Sequence, residues 1–269
     1  MGSDGAACHV PLTVRDDASR AAILVQSSVA TWQAYNRWGG WSLYHGPGHG
    51  RSTIVSVDRP YAGDGSGDFL RDELPLVQTV ERDGLDVTYW TDIDLHEHPA
   101  WLRRHRVLVT LGHDEYWSLA MRQGAQAARD HGVNLLFLGA NAVYRHIRLA
   151  PSPLGPDRRE VNYRVPTLDP LYGIDNADVT VQWRAPPTNL PESALIGEQY
   201  ECNPVRADMI VVRAASWIFA GTGLRDGDRL HGIVGYEYDR VIPGAPRPRG
   251  CGSWPTRRSA ALAGGASRT

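Results

Sequence analysis

Short apolar runs rich in β-branched residues alternate, over the first half of the chain, with stretches whose apolar positions recur at helical spacing. Residues 22–26, 53–57, 85–89, 107–111 and 134–138 read as buried strands. Phe69, Leu70, Leu74, Val77 and Val80 share one helical face and predict a helix over 68–83. Pro75 inside that stretch predicts a kink or a later start. Residues 92–104 hold a short helix and 117–131 a longer one, with Gly132 in the C′ position. Strands alternating with helices predict an α/β fold, a mainly parallel sheet with helices on both faces.

Beyond Leu149 the pattern changes. Residues 151–156 (Pro-Ser-Pro-Leu-Gly-Pro) read as a loop, and 179–183, 209–212, 217–220 and 232–236 as strands with long connections. This is an elaborated C-terminal half of one domain, with no internal repeat. The expected organisation is an N-terminal extension (1–20), an α/β domain (21–242) and a disordered tail (243–269) of Pro, Arg, Gly, Ala and Ser without periodicity.

Composition narrows the class. The 269 residues are 42% apolar and 22% charged, ordinary for a soluble globular protein. A net charge of −2 gives no footprint for nucleic acid or an acidic membrane surface. No apolar run approaches the ~20 residues of a bilayer span, and residues 1–10 lack a signal-peptide pattern. Cys8, Cys202 and Cys251 fit neither a disulfide framework nor a zinc site, so free thiols in a reducing cytoplasm are expected. Every basic residue is Arg, which excludes Schiff-base lysine chemistry.

Candidate chemistry gathers where strands end. The run 107–111 stops at Gly112, and His113, Asp114 and Glu115 follow at once before a helical pattern. Open α/β sheets place ligands at such strand-to-helix corners. Asp114 alone reads as a helix cap. His113 and Glu115 together read as a site. No Ser or Cys stands at the turn, so a nucleophile elbow is excluded and activated water is the natural replacement.

The stretch 31–44, after the first strand, is crowded with aromatics and broken by Gly39-Gly40. It reads either as an aromatic loop over the sheet edge or as a source of phenol ligands, which ionise at neutral pH only beside a strong Lewis acid such as trivalent iron. Asn141, after Gly139-Ala140, is either an N-cap or an oxyanion donor. Glu237, in Gly235-Tyr236-Glu237-Tyr238-Asp239, is either solvated or a general base. Gly63-Asp64-Gly65-Ser66-Gly67 lacks a phosphate-loop ending and reads as a turn. His45, His49, His96, His98 and His105 lack ligand spacing and are expected in solvated loops.

Four pieces in order carry a resemblance: the stretch 31–44, Asp58-Arg59-Pro60-Tyr61, Gly112-His113-Asp114-Glu115-Tyr116-Trp117-Ser118, and Gly139-Ala140-Asn141. From about Ala21 to Pro243 the chain resembles the large (beta) subunit of N,N-dimethylformamidase and reads as a truncated member of that family. The resemblance implies a core like that of class I glutamine amidotransferases or flavodoxin. It also implies a mononuclear ferric (Fe3+) site held by Tyr35, Tyr44 and Glu115, with Tyr61 the rival for the second tyrosine. It places His113, Asn141 and Glu237 as catalytic groups. The expected function is hydrolysis of a small amide C–N bond by metal-activated water, with Trp38, Trp41 and Trp117 as apolar pocket walls. A homo-oligomer or a small second subunit is the implied partner. The alternatives are a non-catalytic or glycan-associated binding module on the same scaffold, or an inactive truncated relative.

Overall fold

The computed structural model describes residues 7–249 and 256–258. Four parallel strands form the central sheet, in the order β3-β1-β4-β6. They are β1 (Ile23–Ser27), β3 (Val87–Thr91), β4 (Val107–Gly112) and β6 (Asn134–Gly139). β1 lies between β3 and β4, and β4 pairs with β6 up to Gly112 opposite Gly139. Leu24-Val25-Gln26 and Leu108-Val109-Thr110 are buried in succession, so both faces of the central strands are covered, as parallel sheets require.

One core joins Leu24, Trp90 and Leu108 to α3 (Asp92–Glu97), the 3₁₀ segment Pro99–Arg104 and α4 (Leu119–Asp130) through Leu95, Leu102, Met121, Ala125 and Trp117. α3 starts on a capping box in which Thr91 and Asp94 satisfy each other's backbone amides. α4 starts on Ser118, whose Oγ accepts from the Met121 amide at 3.2 Å. The cap is therefore Ser118 and not Asp114, which is buried and accepts from Trp117 Nε1 at 2.8 Å. Gly132, at φ +97°, ends the helix as expected. In the stretch 68–83, Pro75 sits in the first turn of α2 (Leu74–Arg82), behind a π-helical turn at Phe69–Glu73. The later start holds, because the first turn needs no amide from proline.

A second sheet runs β2-β8-β7-β5, from β2 (Ile54–Ser56), β8 (Gly155–Val161), β7 (Arg145–Ser152) and β5 (Tyr116–Ser118). β5 and β7 are parallel, and the other pairs are antiparallel. The stretch expected as a loop at 151–156 is thus the end of a hairpin that closes at Ser152 opposite Gly155. β2 belongs to this sheet rather than the parallel one. Against this sheet packs α1 (Val29–Tyr35), whose Ala30 and Ala34 meet Leu43, Val55, Tyr116 and Ile147.

In the C-terminal half, α5 (Ser193–Ile196) precedes β9 (Gln199–Cys202), which pairs with β12 (Tyr238–Arg240). β10 (Ala207–Val211) pairs with β11 (Arg229–Val234) and with β13 (Thr256–Arg258). Two expected strands are not strands. Val179, Val181 and Trp183 are buried but carry one isolated bridge, Arg145 to Gln182, and within 217–220 lies a 3₁₀ turn, Trp217–Phe219. Thr256–Arg258 is a strand within the tail expected to be disordered; the remainder of 250–269, with Cys251, lies outside the described residues. In the N-terminal segment Arg15 binds Asp94 of α3, and the His9 amide donates to the Asp64 carbonyl at 2.6 Å. Cys8 and Cys202 are free thiols. Among the described residues no helix is long and apolar enough to cross a membrane.

Candidate active site

Three oxygen-bearing side chains meet at the carboxyl edge of the parallel sheet. Tyr35 is the last residue of α1, Tyr44 follows the turn after it, and Glu115 lies in the corner between β4 and β5. The Tyr35 hydroxyl donates to Glu115 Oε2 at 2.7 Å, and the Tyr44 hydroxyl to Oε1 at 2.7 Å and Oε2 at 3.0 Å. The two phenol rings stack with centroids 4.1 Å apart. Local backbone contacts explain the placement. Gly112 adopts φ +74°, which turns the chain off β4. The neighbouring Gly139 is pressed so closely that a Cβ there would stand 1.9 Å from the Gly112 carbonyl oxygen. The Glu115 and Tyr116 amides then donate to Thr31 Oγ1 at 3.0 and 3.2 Å, tying the corner to α1. The Leu43 amide donates to the Ala34 carbonyl at 2.9 Å, which brings Tyr44 back beside Tyr35.

His113 Nε2 stands 3.4 Å from Glu115 Oε2, 3.3 Å from Glu237 Oε2 and 3.2 Å from Asn141 Nδ2. Glu237 is held by Asn203 Nδ2 at 2.9 Å. One end of the Asn141 amide faces His113, and the other has no hydrogen-bond partner. Asn141 is not a helix cap: no helix follows, and the chain passes through a turn into β7. All six residues singled out in the sequence thus lie in one constellation, beside an open cavity of about 1600 Å³.

A family model described as "N,N-dimethylformamidase beta subunit-like, C-terminal" matches residues 1–259, further at both ends than the stretch 21–243. The chain belongs to the N,N-dimethylformamidase beta subunit-like family. No curated protein matches it.

In this dimethylformamidase-like chain the donor set is electrostatically unusual. Burial first, and the Glu115 charge second, push the Tyr35 phenol well up and the Tyr44 phenol up against the opposing Arg164 charge, so both hold their protons without a counter-cation. Arg145 Nε lies 3.5 Å from Glu115 Oε1, and the Arg164 guanidinium lies 3.7 Å over the Tyr44 ring while donating to Tyr116 Oη at 2.7 Å. Among the described residues no group of three His, Cys, Asp or Glu side chains is placed to hold a metal, so a cation site here has to draw on phenol oxygens. The spacing of each phenol oxygen from the Glu115 carboxylate, 2.7–3.0 Å, suits one. Cis oxygens bound at about 2.0–2.1 Å to a small octahedral cation lie about 2.9 Å apart. A trivalent ion replacing the two phenol protons would invert the pKa pattern.

Other expectations are corrected. Tyr61 packs edge-on against Trp32, with ring centroids 5.6 Å apart, and lines a different, smaller cavity, so it is Tyr44 that reaches Glu115. Trp117 is wholly buried in the core, and Trp38 and Trp41 are half-exposed outside the cavity. Phe137, Leu138, Met209 and Ile233 supply its apolar lining instead. His105 is buried, facing the Ala21 carbonyl at 2.7 Å, rather than solvated. Sequence reasoning missed Thr31, Arg145, Arg164 and Asp239. Asp239 alone carried a signal, standing two residues after Glu237 on a strand-like run.

Proposed function

We propose that the chain is a hydrolase of small linear amides that holds a mononuclear ferric ion on Tyr35, Tyr44 and Glu115. The observation that carries this reading is the convergence of two half-buried phenols on one buried carboxylate, each phenol oxygen 2.7–3.0 Å from it, at the strand ends. Counted within the sheet, the strand order is 2-1-3-4. That order supports a flavodoxin-like or glutamine amidotransferase-like core, with the site at the β1–β4 switch point where such folds bind ligands. A ferric ion supplies Lewis acidity, polarising a carbonyl and acidifying water.

The protein's own groups do the rest. Glu237 takes a proton from the attacking water as its oxygen bonds to the amide carbon, and returns that proton to the nitrogen as the C–N bond breaks. His113, with Nε2 facing two carboxylates, carries a proton there and holds Glu237 and Glu115 in register. Asn141, whose amide lies 3.2 Å from His113 Nε2, is the proposed group that orients the imidazole and stabilises the developing oxyanion. Membership in a beta subunit-like family supports a second subunit or a second copy as partner.

The test is Glu237→Gln. Iron content should be kept while turnover of a linear amide such as N,N-dimethylformamide falls by about 10²–10⁴. Turnover within tenfold of wild type would remove Glu237 from that role. One observation favours a second reading: Trp38 and Trp41, exposed at 49% and 43%, suit an aromatic binding surface for glycans. A Trp38→Ala/Trp41→Ala variant with unchanged retention on glycan arrays would dismiss it.

A further inference from the structure

We infer that Asp239 is a positioning residue for Asn141: its carboxylate clamps the first amide of a strained turn and so holds the Asn141 side chain against His113. The inference rests on the hydrolase reading for its functional meaning. Asp239 Oδ1 accepts from the Asn141 backbone amide at 2.8 Å, across 98 residues of sequence. The turn it grips is a costly one. Asn141 stands at φ +59° and Val143 at φ +53°, and a buried β-branched residue in the left-handed region persists only when its surroundings hold it there.

On one side those surroundings are the catalytic corner. The Val143 amide donates to the Asp114 carbonyl at 2.9 Å, and the Tyr144 and Arg145 amides donate to the Glu115 carbonyl at 2.9 and 2.8 Å. On the other side, at the start of the turn, the tie is Asp239. Glu237, in the bend that leads into β12, and Asp239, within it, are two residues apart, and both line the cavity. One segment therefore brings the proposed base to His113 and the clamp to Asn141.

The clamp is sensitive to pH. Burial raises the Asp239 carboxyl to about 7, reinforced by Glu198, Glu192 and Glu237 and opposed by the Asn141 amide. Glu192 is itself bound by Arg184, and Glu237 by Asn203. An ionised carboxylate is the stronger acceptor, so the grip on Asn141 weakens as pH falls through about 7.

The experiment follows the Asn141 amide by heteronuclear NMR on the full, metal-free chain, beside steady-state kinetics on the iron-loaded chain. In the wild type the Asn141 amide proton should titrate with a midpoint near 7. In Asp239→Asn, which keeps an acceptor oxygen, that titration should vanish while exchange protection stays. In Asp239→Ala exchange should quicken by about tenfold or more. On the kinetic side Asp239→Ala should lower kcat with KM little changed, and Asp239→Asn should restore part of it and remove the acidic limb near pH 7. A flat Asn141 amide in the wild type, or unchanged exchange in Asp239→Ala, overturns the clamp. If Asp239→Ala does not fold, the wild-type titration and Asp239→Asn decide alone. Turnover failing while the amide titrates would sink the hydrolase reading and leave the clamp standing.

Discussion

Replacing Thr31 by valine exchanges one hydroxyl for one methyl at a wholly buried position. Shape is nearly kept, so the change isolates one function of the side chain: its oxygen accepts the amides of both Glu115 and Tyr116. Each buried amide left without a partner costs about 1–3 kcal/mol. The added methyl returns about 1 kcal/mol through burial. The net loss is about 1–5 kcal/mol, which for a chain of this size lowers Tm by roughly 2–20 °C. Thermal unfolding of the metal-free protein by circular dichroism measures it. Thr31→Ser is the control, because it keeps the acceptor and loses only a methyl. A Tm for Thr31→Val equal to or above that of Thr31→Ser would refute the claim that this oxygen anchors the corner.

Three further outcomes are expected. Gly139→Ala forces a Cβ against the Gly112 carbonyl and should destabilise by about 1–3 kcal/mol or more, seen in the denaturant midpoint. Tyr44→Phe should abolish stoichiometric iron binding by elemental analysis, whereas Tyr61→Phe should keep it. Stability of the metal-free protein should fall from pH 6.5 to 8.5. Burial raises Glu73 to about 8 and Asp239 to about 7, so the folded state holds protons that the unfolded chain has released, and that contribution is lost as pH rises through those values. Asp114, raised to about 6, has lost its part by that window. Buried His146, depressed to about 3, acts in the opposite sense only below pH ~6.5. A Tm that climbs across the window would contradict this, and Glu73→Gln should flatten the decline.

The central strands β1 and β4 were legible because they are buried on both faces and read as near-continuous apolar runs, β4 closed by the turn residue Gly112. The second sheet was not. β8 carries Pro156, Asp157, Arg158, Arg159 and Glu160, a polar run that becomes a strand only through its long-range partners β2 and β7. Prolines at 151 and 153 hid the hairpin in the same way. The corner showed its chemistry in sequence, but its cap did not: Asp114 and Ser118 are both good capping residues, and the hydrogen bonds decide between them, the Met121 amide going to Ser118 and the Trp117 indole to Asp114. Whether Tyr44 or Tyr61 meets Glu115 depends on how the 36–43 turn folds back on Ala34. Arg145 and Arg164 approach from β7 and from the segment beyond β8, and no local pattern marks an arginine that will stack on a phenol.

The central claim is that Tyr35, Tyr44 and Glu115 together hold a ferric ion. It is tested most directly by iron content and visible absorption of the purified chain after reconstitution with iron. The account predicts about one iron per chain with a tyrosinate-to-iron charge-transfer band, both lost in Tyr35→Phe. A colourless, iron-free wild type, or a Tyr35→Phe variant with unchanged iron content, would contradict it.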